Sequence, residues 1–448
     1  MRISSSWRGQ EWSGLSVGAV VDSPRQRIRS CAFSHPAPAW ARSSMKRKCL
    51  PARRITSSAA ARSRRSARSV APAPAATRLP TVRADPIRLS IAWPRPCYTD
   101  GAMDLFLSAF LLLASRAASA DAPISGAVDM HCHVACLGEG GSGCFISRKM
   151  RRSLKYRVYL RAMGLTEREL TASGDAIVFE RLAGSIADSK RVSKAVVLAL
   201  DGVVTDGELD REKTEVYVPD AFVARGAAEH KELLFGASVN PYRKDALERL
   251  VWAKKHGAVL VKWIPSIMEI DPADPRLASF YRKLAELKLP LLTHTGSESS
   301  FTRSRDELGD PLRLRLPLSL GVTVIAAHIA ASGETDGQPN FERLRPLFAE
   351  YPKLYADISS LTQINHLGYL VKALKDPLIE TRLLYGSDWP LQFSPLVSPW
   401  YQLRHIGPRR AVSVGRIRNR WDKDVALKEA MGVREDVFAR TAAVLKAD

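Results

Sequence analysis

Four apolar, strand-like segments of this sequence each end in a side chain that can bind a metal ion. The first ends in Asp-Met-His-Cys-His, which places His131 and His133 two residues apart. Three later segments end at His294, His328 and Asp388. Imidazole nitrogens and carboxylate oxygens are the ligands of catalytic zinc sites, which keep one position open for water. The pattern therefore predicts a metal-dependent catalytic centre, if the fold brings these segment ends together.

Eight β-branched runs alternate with amphipathic stretches after residue 121. This alternation indicates parallel strands covered by helices, and eight such units predict an α/β fold of the closed (β/α)8 TIM barrel type. We predict strands at 127–133, 195–200, 233–239, 258–264, 291–295, 322–328, 354–358 and 383–388. We predict helices at 176–189, 219–230, 243–256, 275–287, 310–320, 341–351 and 368–374, and a last one at 425–445 interrupted near Gly432.

A barrel would bring the metal-binding side chains together. Residues two apart on a strand point to the same side, so His131 and His133 can both face the barrel axis. Closure makes the first and eighth strands neighbours, which puts Asp388 beside them and His294 across the mouth. A single histidine at a strand end is more often a hydrogen-bonded core residue. The prediction of a metal site rests on the fact that all these histidines and Asp388 stand at the ends of their strands, at the same edge of the barrel.

An open, doubly wound sheet is the competing fold, but no glycine-rich phosphate-binding motif of the usual spacing follows the first strand. The segment 138–143 is rich in glycine, yet no clear helix start follows it. We expect the chain from 121 to 448 to form the barrel, with an insertion at about 134–175 that covers its mouth. Substrate selection is expected from charged loop residues, each of which is individually more often a solvated charge: Glu298, Arg303, Arg305, Glu334 and Asp336.

The net charge of +21 lies mostly in the N-terminal part of the chain. Residues 1–102 hold 19 Lys and Arg against 4 Asp and Glu, whereas the remainder holds 48 against 42. This leader has no strand or helix periodicity, so we predict that it is disordered. It can be interpreted as a transit peptide, a nucleic-acid-binding arm, a membrane-surface tail, or sequence upstream of a true start at Met103.

The segment 103–120 is typical of a signal peptide. Its apolar run at 105–114 precedes Ala118-Ser119-Ala120, a small-residue cleavage pattern, although Asp104 stands where a positive charge is usual. Ten residues are too few to cross about 30 Å of hydrocarbon, so no stable membrane insertion is expected. Cleavage would mean export, for example to the periplasm, and otherwise the protein would be cytoplasmic. Export would permit a disulfide among Cys132, Cys136 and Cys144.

The sequence from 126 to 446 resembles the amidohydrolase-related metal hydrolases, also called amidohydrolase family 2. The matching pieces are the first strand through His133, the segments 261–265, 271–275 and 289–296, His328, and the segment 385–390. The resemblance implies a TIM barrel that holds one divalent metal ion, usually zinc, on the residues matching His131, His133, His294 and Asp388. It also implies that His328 stands beside the water on that metal.

Lys262 leaves the number of metal ions open. In binuclear relatives a lysine on the fourth strand is carboxylated and bridges two ions, and residues matching His294 and His328 bind the second. A plain lysine is also common in the mononuclear branch, and we favour one metal. The family contains hydrolases of amides and lactones and non-oxidative decarboxylases such as aminocarboxymuconate-semialdehyde decarboxylase, which these motifs do not separate.

We therefore predict a metal-dependent hydrolase in which a metal-activated water attacks a C–N (amide) or C–O (lactone or ester) bond of a small-molecule substrate. Asp388 would transfer protons, and His328 would orient the nucleophile or stabilise the oxyanion. Non-oxidative decarboxylation is the alternative. A remote alternative is a nucleic-acid-binding protein that uses the basic leader, but no basic stripe with interleaved aromatic residues occurs outside the leader. A homo-oligomer is compatible with the sequence.

Overall fold

The computed structural model describes residues 126–446. The basic leader at 1–102 and the signal-like segment at 103–120 lie outside the described residues, and what was predicted for them remains a prediction. Among the helices of 126–446, none combines the length and the apolar character needed to cross a bilayer.

Eight parallel strands form one sheet in chain order, which confirms the predicted TIM barrel. Each strand pairs in parallel with the strand that follows it in the chain. The strands are β1 Ala127–His133, β2 Val192–Leu198, β3 Leu233–Ala237, β4 Leu260–Trp263, β5 Leu291–His294, β6 Val324–Ala327, β7 Leu354–Asp357 and β8 Leu383–Leu384.

Backbone hydrogen bonds between β1 and the segment after β8 close the barrel. The Asp388 N–H donates to the His131 carbonyl over 2.9 Å, and the His133 N–H donates to the Trp389 carbonyl over 2.7 Å. A parallel bridge joins Cys132 to Trp389 between them. The first and last strands are therefore neighbours, as closure requires.

Helices surround the sheet. They are α1 Arg148–Arg151, α2 Leu154–Met163, α3 Glu167–Ser173, α4 Ile177–Ala187, α5 Asp220–Glu229, α6 Ala246–Lys255, α7 Pro265–Met268, α8 Ala278–Leu287, α9 Arg315–Ser319, α10 Asn340–Leu344, α11 Leu347–Glu350, α12 Tyr369–Leu374, α13 Leu403–Arg416, α14 Arg420–Ala430 and α15 Glu435–Leu445.

Most predicted helices are present, but several details differ. The helix predicted at 341–351 is two short helices, α10 and α11, on either side of Arg345 and Pro346. Helix α13 was not predicted, because Gly407 and Pro408 interrupt its periodicity and Gly407 has a positive φ of 72° inside it.

Strand β1 carries an irregularity that redirects its side chains. Asp129 pairs with Ala195 and Cys132 pairs with Val197, so β1 holds one residue more than β2 between these pairs. A β-bulge of this kind breaks the strict alternation of faces. Met130 packs in the inner cluster with the barrel-filling residues, and His131 also turns inward, whereas Cys132 packs in the outer cluster beneath the helices.

The insertion between β1 and β2 lies across the C-terminal mouth of the barrel. On α2, Lys155 Nζ donates to the Ser299 carbonyl and Tyr159 Oη donates to the Ser300 carbonyl over 2.9 Å, which ties α2 to the loop after β5. Helix α2 also contacts residues 391–393, which follow β8. It therefore bridges two loops on the rim of the mouth, and we call α2 the roof.

A buried ion pair fixes the chain where β8 ends. Lys428 Nζ on α14 lies 2.6 Å from Asp424 Oδ2 and donates to the Gly386 carbonyl over 3.0 Å. The Tyr385 hydroxyl donates to the same carboxylate over 3.0 Å. Lys428 is fully buried, so these partners replace the water that would otherwise solvate its ammonium group.

We expect Lys428→Met to destabilise the fold by about 3–5 kcal/mol, because it leaves the Asp424 carboxylate buried without its cation. Urea unfolding followed by circular dichroism measures the loss. Lys254→Met, at an exposed position on α6, is the matched control and should leave the free energy of unfolding unchanged. Equal unfolding midpoints for the two variants would contradict the role of the pair.

Candidate metal centre

The metal-binding side chains meet at the floor of one cavity beneath the roof. The cavity encloses about 220 Å³, and His133, His294, His328 and Asp388 line it together with Lys262 on β4. His131 lies directly below them and is fully buried. The fold thus brings every residue of the predicted constellation to the C-terminal end of the barrel.

Three of these side chains approach at the spacing of ligands around one ion. His131 Nε2 lies 3.1 Å from His133 Nε2. Asp388 Oδ1 lies 3.5 Å from His131 Nε2 and 3.7 Å from His133 Nε2. Ligands of a tetrahedral zinc ion with bonds of 2.0–2.1 Å stand about 3.3 Å from one another. The observed separations therefore fit a single divalent ion at this point.

His328 and His294 occupy different positions relative to this centre. Ligand atoms of His131, His328 and Asp388 all lie within 4.8 Å of one another. The ring centroid of His294 lies 5.2 Å from that of His328, and its Nδ1 faces Glu298 Oε2 at 3.4 Å. The predicted assignment of His294 as a ligand, with His328 beside the water, remains a prediction.

Asp357 at the end of β7 sets the tautomer of His131. Its Oδ2 lies 2.7 Å from His131 Nδ1, and a carboxylate can only accept, so Nδ1 carries the proton and Nε2 presents a lone pair. Its Oδ1 accepts the His328 N–H over 2.8 Å. Such partners orient metal-binding histidines in many sites. Burial alone would raise the pKa of Asp357, but its electrostatic interaction and hydrogen bond with His131, together with its interaction with His328, hold that pKa well below its ordinary value.

Ser359 orients His328 in a similar way. The Ser359 hydroxyl donates its single proton to Asp357 Oδ1. Ser359 Oγ can therefore only accept a hydrogen bond from His328 Nδ1, which lies 2.8 Å away. The Ser359 carbonyl, also an acceptor, lies 3.2 Å from that nitrogen. His328 therefore carries its proton on Nδ1, and its Nε2 presents a lone pair.

Burial keeps the histidines of this cluster in their unprotonated, metal-binding form. It lowers the pKa of His131 to about 4, assisted by the positive charge of Lys262. The pKa values of His133 and His328 are also far below normal, chiefly through burial. Burial raises the pKa of Asp388 to about 8 and lowers that of Lys262, whose Nζ lies 2.9 Å from His131 Nε2, to about 8.

Two of the candidate residues stand in left-handed backbone. His328 has a φ of 54°, Ile329 of 50° and Ala330 of 53°, and Asp388 has a φ of 67°. Non-glycine residues with such angles cost about 1–3 kcal/mol each and cluster at functional sites. The turns begin where the strands end, so β6 and β8 are shorter than the predicted ranges 322–328 and 383–388.

Asp129 joins the two strands that supply the closest ligand atoms. Its Oδ1 accepts the N–H groups of His131 over 3.1 Å and of Ser387 over 2.8 Å. Its Oδ2 accepts from the indole of Trp421 on α14 over 2.8 Å. Gly386 completes the fit, because a Cβ there would lie 2.9 Å from the Cβ of His131. Asp129 and Gly386 stand in the matching segments, but their supporting roles depend on pairing across the barrel and could not be predicted from spacing.

Four of the five predicted substrate-selecting residues lie away from the cavity. Glu298 lines it and is buried. The others are surface loop residues engaged elsewhere: Arg303 pairs with Glu269, Arg305 with Glu307, and Asp336 with Arg343, while Glu334 is exposed on a short hairpin. None of these four lines the cavity, and their surface positions match the alternative that they are solvated loop charges. His366 also lines the cavity.

Cys136 and Cys144 form a separate cluster with Asp175. Cys132, Cys136 and Cys144 are buried free thiols. Ligand atoms of Cys136, Cys144 and Asp175 lie within 4.8 Å of one another, but the carboxylate of Asp175 already accepts from the N–H groups of residues 137 and 138 and from the Ser142 hydroxyl. This arrangement orders the glycine-rich loop.

The chain belongs to the amidohydrolase family, whose sequence profile matches residues 128–410. The members of this family are enzymes that act on small molecules, and a divalent metal ion is implied for them. No curated protein matches the chain.

Several solved structures are similar to this one. An uncharacterized TIM-barrel protein from Bordetella bronchiseptica is 14% identical, with a TM-score of 0.45 over 72% of this chain and 99% of that chain. Dihydroorotase from Campylobacter jejuni is 16% identical, with a TM-score of 0.30 over 59% of this chain and 69% of that chain. 5-Carboxyvanillate decarboxylase from Sphingomonas paucimobilis is 9% identical, with a TM-score of 0.36 over 72% and 99%.

We expect Asp357→Asn to weaken metal binding by about 10- to 100-fold, because an amide no longer fixes the proton of His131 on Nδ1 as a carboxylate does. Competition with a chromogenic chelator measures the affinity for Zn²⁺. Asp336→Asn, at a position whose side chain is 83% exposed, is the control and should bind as the unaltered chain does. Unchanged affinity in Asp357→Asn would exclude this role for the carboxylate.

Proposed function

We propose that the protein is a metal-dependent hydrolase that cleaves a C–N or C–O bond of a small molecule. The proposal rests on one observation: His131 Nε2, His133 Nε2 and Asp388 Oδ1 converge within 3.1–3.7 Å of one another at the floor of a covered cavity. Membership of the amidohydrolase family supports it.

His131, His133, His294 and Asp388 would hold one divalent ion, for which we favour zinc. When bound, such an ion supplies Lewis acidity and brings the pKa of its water from about 15.7 to near 7. The donor set fits this chemistry, because the imidazoles are held neutral and His131 presents its lone pair toward the other ligands. His294 stands farther out and would complete the set by a small movement of its side chain.

Asp388 is the group that we assign to proton transfer. Its Oδ1 faces the two histidines of β1, and its Oδ2 accepts from the Ser360 hydroxyl over 2.6 Å. A carboxylate held in this way can take a proton from the attacking water and return it to the leaving nitrogen or oxygen. Ser360 keeps the carboxylate in one orientation for both transfers.

His328 would orient the attacking water and not stabilise an oxyanion. Its proton is engaged on Nδ1 by Ser359, and its Nε2 can therefore accept a hydrogen bond but not donate one. Acceptance from water aims an oxygen lone pair at the substrate. Of the two roles considered from the sequence, this geometry supports the first.

Lys262 supports a single ion in this proposal. Its Nζ is fully buried 2.9 Å from His131 Nε2, and its positive charge offsets the acidic charge of Asp357 and Asp388 without a second metal. Carboxylation of this lysine would instead produce a site for two ions. Metal stoichiometry separates these outcomes.

We expect His131→Ala and Asp388→Ala to lose bound metal and hydrolytic activity together while the fold is retained. The unaltered chain should hold about one equivalent of Zn²⁺ by elemental analysis, and each variant far less. His405→Ala, at an exposed position on α13, is the control. Full turnover after chelation would falsify the metal-dependent mechanism, and two equivalents would show a binuclear centre.

The reaction type is tested with labelled water. Zinc-loaded enzyme is incubated with a panel of small esters, lactones and anilides in H₂¹⁸O, and separately with hydroxybenzoates. We expect ¹⁸O in the carboxylic acid product, because water supplies the oxygen, and no release of CO₂. Metal-dependent CO₂ release without label incorporation would instead show a non-oxidative decarboxylase with the same ligands.

A further inference from the structure

The underside of the roof presents an apolar stripe to the cavity. Tyr156, Tyr159, Leu160 and Met163 of α2 all line it. Their spacing of three, four and seven residues places them on one face of the helix. We call these four residues the roof stripe. The opposite face of α2 is exposed, with Leu154 at 75% and Val158 at 42%.

Neighbouring apolar residues extend the roof stripe down the wall of the cavity. Ile146 and Met150 from the insertion, Ile264 after β4 and Phe301 after β5 all line the same space. The rest of the lining combines polar groups, such as Gln363 and Asn365, with further apolar residues, such as Leu200 and Val216. The cavity is therefore largely apolar beneath the roof and mixed elsewhere.

The cavity lining in the described part of the chain offers no positive charge near the roof stripe. Among the described residues 126–446 that line it, none is arginine, and Lys262 is the single primary amine. Lys262 is held against His131 at the floor. The other charged lining residues, Glu298 and Asp388, are acidic. A carboxylate under the roof stripe would lose its hydration without contacting a cation among these lining residues, which is unfavourable.

We infer that the substrate is a compound of single-ring size whose reactive amide or ester group lies at the floor of the cavity. The part of the substrate under the roof is apolar and carries no negative charge. The inference rests on the proposed function and names its substrate class. A cavity of about 150 Å³ accommodates benzene, so the 220 Å³ here suits one ring with a short substituent.

Calorimetry with two hydroxamates tests the inference on the zinc-loaded full chain. Benzohydroxamate and 4-carboxybenzohydroxamate share the metal-binding head and differ only in the carboxylate at the far end of the ring. We expect benzohydroxamate to bind at least about 10-fold more tightly, because the added charge lies under the roof stripe. Equal or tighter binding of the carboxylated compound, or binding of neither, would overturn the inference.

Two leucines of the same helix provide matched variants. Leu160→Ala should weaken benzohydroxamate binding by about 10-fold or more, since it removes apolar contact in the cavity, whereas Leu154→Ala should not change it. Leu160→Arg should narrow or reverse the preference for the uncharged compound. Equal effects of Leu160→Ala and Leu154→Ala would contradict a role of the roof stripe in binding.

A metal-free pair of probes separates this inference from the proposed function. Benzyl alcohol and 4-(hydroxymethyl)benzoate are compared on chelator-treated protein by ligand-observed nuclear magnetic resonance, with Leu160→Ala as the variant. If the chain takes up no metal, the proposed function fails. A preference for benzyl alcohol that is lost in Leu160→Ala would still support the assignment of the cavity to an uncharged, apolar group. Preference for the benzoate would overturn the assignment alone.

Discussion

The hydrogen bonds that close the barrel are the constraint on which both the fold and the site depend. The carbonyl of His131 accepts the N–H of Asp388, and the N–H of His133 donates to the carbonyl just beyond it, at Trp389. The same residues carry the candidate metal ligands. The centre therefore cannot form until the two ends of the sheet have met, and any distortion of the closure displaces ligands from both sides at once.

Burial of this centre imposes an electrostatic requirement that the surrounding residues meet. Several imidazoles packed at short range would repel one another if protonated, and burial keeps them neutral. Asp357 remains ionised beneath them because it faces His131 and the N–H of His328. The outcome is a set of lone pairs directed toward one point, in which Asp357 orients His131 and Ser359 orients His328. A divalent cation satisfies such an arrangement better than any proton can.

Much of the barrel could be predicted from the sequence, because strand periodicity and the regular spacing of strand ends are local signals. The eight strands and the convergence of His131, His133 and Asp388 follow from them. The bulge in β1 could not be predicted, since it depends on pairing with β2. The left-handed turn at His328 could not either, because Ile329 and Ala330 carry no mark of it. Whether Arg303 or Arg305 faces the cavity could not be predicted either, because each pairs with an acidic residue whose position depends on the fold of the loops.

The roof comes from a single local insertion between β1 and β2, whereas the ligands come from strands throughout the barrel. Under the proposed function, selectivity and reactivity would therefore reside largely in separable stretches of polypeptide. Exchange of that insertion for one of different composition would alter which molecules enter while leaving the proposed reactive floor intact. A barrel organised in this way could acquire new substrates by replacing one insertion, and its catalytic apparatus need not be rebuilt each time.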